Sequence, residues 1–157
     1  MVKKYGITGP IARASGINRD LRKVSSYLAY DKVDFDIPIE NEGDTYSRFV
    51  VRIREILESI KIIRQCIKDL PSGPYKTAVP WIIRIPKKDT FVKQESSRGE
   101  MGIFLVTDGS DKPYRLKLRS PTFFAIHALE ELLVNIKVAD AFVIVASMDP
   151  VMGEVDR

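Results

Sequence analysis

The sequence predicts a mixed α+β fold, with one long central helix and shorter C-terminal helices set around a small antiparallel β-sheet. Three observations carry that prediction. Apolar residues recur in steps of three and four from Phe49 to Leu70, the period of one helix face. Tyr114 to Arg119 alternates apolar and cationic residues, as a half-buried strand does. Ser120-Pro121 pairs a capping hydroxyl with proline at a first helical position.

Along the chain, residues 1–40 are broken by Gly6, Gly9-Pro10, Gly16 and Pro38 and read as irregular, with Val33 to Ile37 alternating as a short strand. Gly6-Ile7-Thr8-Gly9-Pro10 has the outline of a phosphate loop. It lacks the lysine and hydroxyl residue that would follow the last glycine, and Pro10 removes an amide donor, so it is expected to be a tight packing loop. Asp44 then caps a helix from Thr45 to Leu70, about 39 Å long at 1.5 Å per residue. Its stripe of Phe49, Ile53, Ile56, Ile60, Ile63, Ile67 and Leu70 is expected to face inward, and Val50, Val51, Leu57 and Ile62 widen it toward more than one neighbour. Acids and bases mix on its polar face, which favours a core helix over a membrane-surface one.

Pro71-Ser72-Gly73-Pro74 ends that helix. Trp81 to Ile85 lies between Pro80 and Pro86, as an edge strand or extended segment. Lys87 to Glu100 is polar and reads as an exposed connection. Met101–Thr107 and Tyr114–Arg119 form a β-hairpin whose second arm presents Arg115, Lys117 and Arg119 on one face. That face is either a grip for an acidic or phosphorylated partner or a solvated surface. A helix runs from Pro121 to about Asn135, carrying His127, and a buried helix from Val138 to Ser147 leads into the tail.

Composition narrows the function. Of 157 residues, 45% are apolar and 29% charged, the balance of a folded soluble chain. Cations number 25 and acids 21, and the resulting +4 is spread along the chain, which argues against nucleic acid as a partner. Cys66 and His127 are the only residues of their kinds, too few for a zinc or iron–sulfur site or an internal disulfide. A single histidine is expected to pack rather than catalyse. Met1 to Gly6 contains no apolar signal region, and the run from Val138 to Met148, interrupted by Asp140, falls short of the roughly 20 residues that span a bilayer.

The tail Met148-Asp149-Pro150-Val151-Met152-Gly153-Glu154-Val155-Asp156-Arg157 interleaves acids with apolar residues to Val155. One acid beside a methionine–valine wall is a polar handle in an apolar pocket, able to orient or donate a proton. This tail resembles the C-terminus of the 49-kDa subunit family of respiratory complex I. Ser97-Arg98-Gly99-Glu100, Thr8-Gly9-Pro10, Arg13-Ala14-Ser15-Gly16-Ile17, Asp20-Leu21-Arg22-Lys23, Gly43-Asp44 and Ile62-Ile63-Arg64-Gln65 are similar to that family in the same order.

The resemblance implies that residues 1–157 are the C-terminal portion of such a subunit, with the N-terminal portion absent and some apolar surface left exposed. It implies a C-terminal part folded like that of the related nickel–iron hydrogenase large subunits. Those end in Asp-Pro-Cys-x-x-Cys-x-x-His. Here Asp149-Pro150 agree, but Val151 and Glu154 stand at the cysteine positions and Arg157 at the histidine, so the metal site is lost. In the complex I family the vacated cavity is a quinone headgroup chamber beside a 4Fe-4S cluster on the neighbouring small subunit. The resemblance places Asp149, Val151 and Met152 in that chamber and makes Arg13 and Arg98 candidate supporting or interface residues. No residue here is implied as catalytic, and His127 does not match the family's headgroup-contacting histidine. The implied activity is part of an NAD-binding, ion-translocating NADH:quinone oxidoreductase with quinone as substrate. Its partners are the iron–sulfur small subunit and membrane subunits, on the cytoplasmic face of the membrane or the matrix or stromal side in an organelle. The alternative is an assembly module of a ferredoxin- or F420H2-linked relative whose chamber lies elsewhere.

Overall fold

The structure, a computed structural model, describes residues 1–156. The sheet and the long helix dominate it. Short helices α1 (Val2–Tyr5), α2 (Pro10–Arg13) and α3 (Leu21–Val24) precede α4 (Thr45–Lys68). Strands β1 (Lys88–Ser96), β2 (Gly99–Thr107) and β3 (Arg115–Arg119) form an antiparallel sheet in sequence order. Helices α5 (Pro121–His127), α6 (Leu129–Leu132) and α7 (Val138–Met148) and a 3-10 turn (Met152–Glu154) complete the chain. The α+β prediction therefore holds. The core joins the two ends of the sequence: Ile7 and Ile11 pack with Ala125, Ala128 and Met148. Among the described residues no helix is long and apolar enough to cross a membrane.

Helix α4 starts where expected, with the Asp44 carboxylate accepting from the Ser47 amide at 2.7 Å. Its stripe does not face inward. Phe49, Ile53, Ile56, Ile60, Ile63 and Ile67 are 41–70% exposed, while Ser47, Arg48 and Val51 on another face are buried. The elements that would cover the stripe do not occur among the described residues. Helix α7 behaves likewise: Phe142 and Val143 are exposed and only Met148 is buried, so the expected buried helix is largely a surface one.

Three local expectations are corrected. Among the described residues Val33 to Ile37 has no strand partner; two of its amides are taken by α4 side chains, with Asp34 N–H donating to Gln65 Oε1 and Asp36 N–H to Glu58 Oε2, both at 2.8 Å. The polar run from Lys87 to Glu100 is no loose connection. Lys88–Ser96 pairs along its length with Gly99–Thr107, from Lys88 opposite Thr107 to Ser96 opposite Gly99. The helix opened by Ser120-Pro121 breaks at Ala128, whose amide makes a tightened bond to Ala125 O at 3.1 Å, and α6 then restarts the chain. Trp81 to Ile85 is exposed and has no sheet partner among the described residues.

Candidate functional site

The site begins with two backbones crossing at close range. Gly9 (φ 73°) lies against Arg98 and Gly99; a Cβ on Gly9 would stand 2.5 Å from Arg98 O. Gly99 (φ 131°) faces Thr8, whose Oγ1 accepts from Glu100 N–H at 2.9 Å. Only glycine tolerates both this conformation and this approach. The crossing fixes Arg98 at the turn between β1 and β2.

From that turn the Arg98 guanidinium reaches the end of α7. Its Nη2 lies 3.1 Å from Asp149 Oδ1 and 3.0 Å from Oδ2, and its Nε donates to Asp149 O at 3.4 Å. Asp149 ends α7 in the left-handed conformation (φ 52°, ψ 55°). The pair is 31% and 43% exposed, so it stands at a rim rather than in the core. Its attraction is correspondingly modest, and its value is geometric.

Below the rim lies a cleft of about 370 Å³. Its floor is an ionic cluster around Arg13, which is only 2% exposed. Arg13 Nε donates to Glu55 Oε1 at 2.6 Å and Nη1 to Glu95 Oε1 at 2.8 Å, with Asp20 Oδ2 at 3.5 Å. Arg22 grips Asp20 with two nitrogens, at 2.9 and 2.6 Å. Burial resists the charge on both arginines, but the surrounding carboxylates more than offset it and hold each guanidinium protonated. For Asp20, burial pushes the carboxyl up, yet Arg22 and Arg13 pull it below the ordinary range. Glu55 goes the other way. Burial raises its carboxyl above the usual value, because two buried cations serve three acids and Arg13 is shared.

Arg52, on α4, lines both this cleft and a second cavity of about 330 Å³ beside Phe49 and Val143, with Asp149 common to the two. Its guanidinium donates to Arg48 O at 3.1 Å and makes no ion pair among the described residues. Burial lowers its pKa against the favourable field of Asp149 and Glu55.

The structure thus brings Arg13 and Asp149 to one cleft, Arg13 at its floor and Asp149 at its rim, while Arg98 reaches it only through its ion pair with Asp149. Val151 and Met152 do not line it; Met152 is exposed at the start of the 3-10 turn. Glu154 is spent on structure: its Oε2 accepts from Ser120 Oγ at 3.1 Å and Thr122 Oγ1 at 2.6 Å, tying the tail to the start of α5. His127 packs edge-on against Phe123 and its Nδ1 meets Phe123 O at 2.8 Å, which makes it a packing residue. Arg157 lies outside the described residues. Sequence reasoning missed Arg52, Glu55 and Glu95 as cleft residues. The only local signal is that Arg52, Glu55, Ile56 and Ser59 recur at helical spacing, placing them on one side of α4.

Residues 1–83 and 77–157 both match the family model of the respiratory-chain NADH dehydrogenase 49 Kd subunit, which covers the whole chain. The chain belongs to this family. An NADH-quinone oxidoreductase subunit of Desulfotalea psychrophila is 47% identical over 156 residues, covering 99% of this chain and 42% of the relative. The corresponding protein of Dehalococcoides mccartyi is 46% identical over 149 residues, or 95% of this chain and 41% of the relative. An NAD(P)H-quinone oxidoreductase subunit of Thermosynechococcus vestitus is 41% identical, over 98% of this chain and 45% of its own length. The chain therefore spans less than half the length of these 49-kDa-type relatives.

Proposed function

We propose that this chain is the C-terminal portion of a 49-kDa-type subunit and forms part of the wall of a quinone-reduction chamber. The observation that carries this reading is the Arg98–Asp149 pair, held in register by the Gly9–Gly99 crossing at the rim of a charged cleft. Reduction of a quinone to a quinol takes two electrons and two protons. Electrons would come singly from a 4Fe-4S cluster on the neighbouring iron–sulfur subunit, in a complex that couples this transfer to ion translocation. This chain's part is placement and charge. Arg98 fixes the direction of the Asp149 carboxylate, and Arg52 adds positive potential from the α4 side, which suits a developing anionic headgroup. Val151, half-buried here, and Met152, which is exposed, supply apolar wall once neighbouring parts cover them.

Its partners would be the N-terminal portion of the subunit, the iron–sulfur subunit and membrane subunits, in the peripheral arm on the cytoplasmic side. NADH is the donor that the names of the bacterial relatives suggest. The test is Asp149→Asn in the assembled complex. Quinone reductase turnover is expected to fall with assembly intact. Unchanged turnover in that variant refutes the role and points to an assembly function instead.

A further inference from the structure

Residues 70–88 join α4 to the sheet and form no helix or strand until Lys88 opens β1. Helix α4 ends at Asp69, and Thr107 Oγ1 donates to Pro86 O at 2.6 Å, so the segment is held at both ends. Between those ties, among the described residues, nothing from Leu70 to Ile85 makes a hydrogen bond, ion pair or ring contact, and none of it lines the cleft. Tyr75 and Trp81 are fully exposed, and Val79, Ile82, Ile83 and Ile85 are 41–61% exposed. Charge is as uneven as exposure. Lys76, Arg84, Lys87 and Lys88 lie in the segment and no acid does. The chain has 25 cations and 21 acids; with these four set aside, 21 cations remain against the 21 acids. The net +4, expected to be spread along the chain, is therefore carried here.

We propose that this segment inserts at the headgroup level of an anionic lipid bilayer. Three observations select lipid over a protein groove. Trp81, Ile82 and Ile83 are consecutive and exposed, with no helix or strand to set them on one face; a groove covers one side, whereas a fluid interface surrounds all three. Pro80 and Pro86 bracket them and remove two amide donors, which disfavours addition to a sheet edge. Tryptophan beside lysine and arginine is the composition of a bilayer interface, where the indole sits among headgroups and the cations meet anionic phosphates. The backbone sets the depth. Its amides have no partners within the chain, so they stay in the hydrated headgroup layer and out of the hydrocarbon. The contact lies on the membrane and does not span it.

Trp81 is the chain's only tryptophan, so its fluorescence reports on this segment alone. The full chain is mixed with vesicles of phosphatidylcholine, with or without phosphatidylglycerol. Trp81 emission is expected to move to shorter wavelength with the anionic vesicles, with binding at least about tenfold tighter than to phosphatidylcholine alone. Lipid brominated near the headgroup is expected to quench it more than lipid brominated near the chain end. Arg84→Glu with Lys87→Glu is expected to weaken binding at least about tenfold, since each cation near such a surface contributes about fivefold. Ile82→Asp with Ile83→Asp is expected to abolish the shift with circular dichroism unchanged. The exposed stripe of α4 supplies the control: Ile56→Glu with Ile63→Glu keeps the shift. The proposal is overturned if Trp81 does not shift, if phosphatidylcholine alone binds equally well, or if the deeper bromine quenches more. It is also overturned if either segment variant binds like the parent, or if the α4 variant loses binding. None of these readouts involves quinone, so failure here is distinct from failure of the Asp149 test.

Discussion

Replacing Gly9 with alanine tests how the site is held. The new Cβ would lie 2.5 Å from Arg98 O, whereas ordinary contact begins at 3.4 Å, so the turn must retreat by about 3.4 − 2.5 = 0.9 Å. Arg98 moves with its turn, and its 3.0 Å contact to Asp149 would open to roughly 3.9 Å, past hydrogen-bond range. Alanine at φ 73° adds about 1–2 kcal/mol of backbone strain, and forced overpacking about 1–3 kcal/mol more. The expected loss is about 2–5 kcal/mol, read as a lower urea midpoint. A double-mutant cycle isolates the part that concerns the site. If Gly9→Ala has already parted Arg98 from Asp149, then Asp149→Asn on top of it depresses quinone turnover far less than it does alone. Unfolding within about 0.5 kcal/mol of the parent, or strictly additive turnover effects, would refute the reasoning.

Three further outcomes follow from the cleft. Arg13→Met leaves Glu55 and Glu95 facing each other without their cation, and is expected to cost about 3–5 kcal/mol at neutral pH by chemical denaturation. Glu55→Gln reports the opposite imbalance. A raised carboxyl contributes stability below its unfolded pKa that is lost as pH rises through the folded value, so the variant should gain on the parent as pH rises above the ordinary carboxylate range. A constant difference as pH rises would contradict the assignment. Glu154→Ala frees the tail from Ser120 and Thr122 and should cost about 1–2 kcal/mol, with faster amide exchange at Thr122 and Val155.

The fold was readable wherever local chemistry decides structure. Asp44 and Ser120 cap helices as their spacing indicates, and the Tyr114–Arg119 alternation became β3. The α4 period was legible too, but a period reports that one face is apolar, not that this chain holds its cover. Strand β1 escaped because Lys88–Ser96 is mostly exposed and polar; its pairing comes from the two-residue turn at Ser97-Arg98 and from β2. The cleft was half legible. Arg13, Arg98 and Asp149 were singled out through a resemblance, whereas Glu95 joins Arg13 from 82 residues away, a separation that leaves no trace in either neighbourhood. Val151 and Met152 were placed by the same resemblance, and in this chain they stand apart from the cleft.

The left-handed backbone of Asp149 bears on how its charge can be weighed. Aspartate and asparagine share the ability to occupy that conformation, and alanine does not. An alanine scan across the tail would therefore confound two variables at this position, reporting a twisted helix end as though it were a missing carboxylate. The amide swap changes one variable only. The conformation that lets α7 turn toward Arg98 also provides the control needed to interpret its mutants.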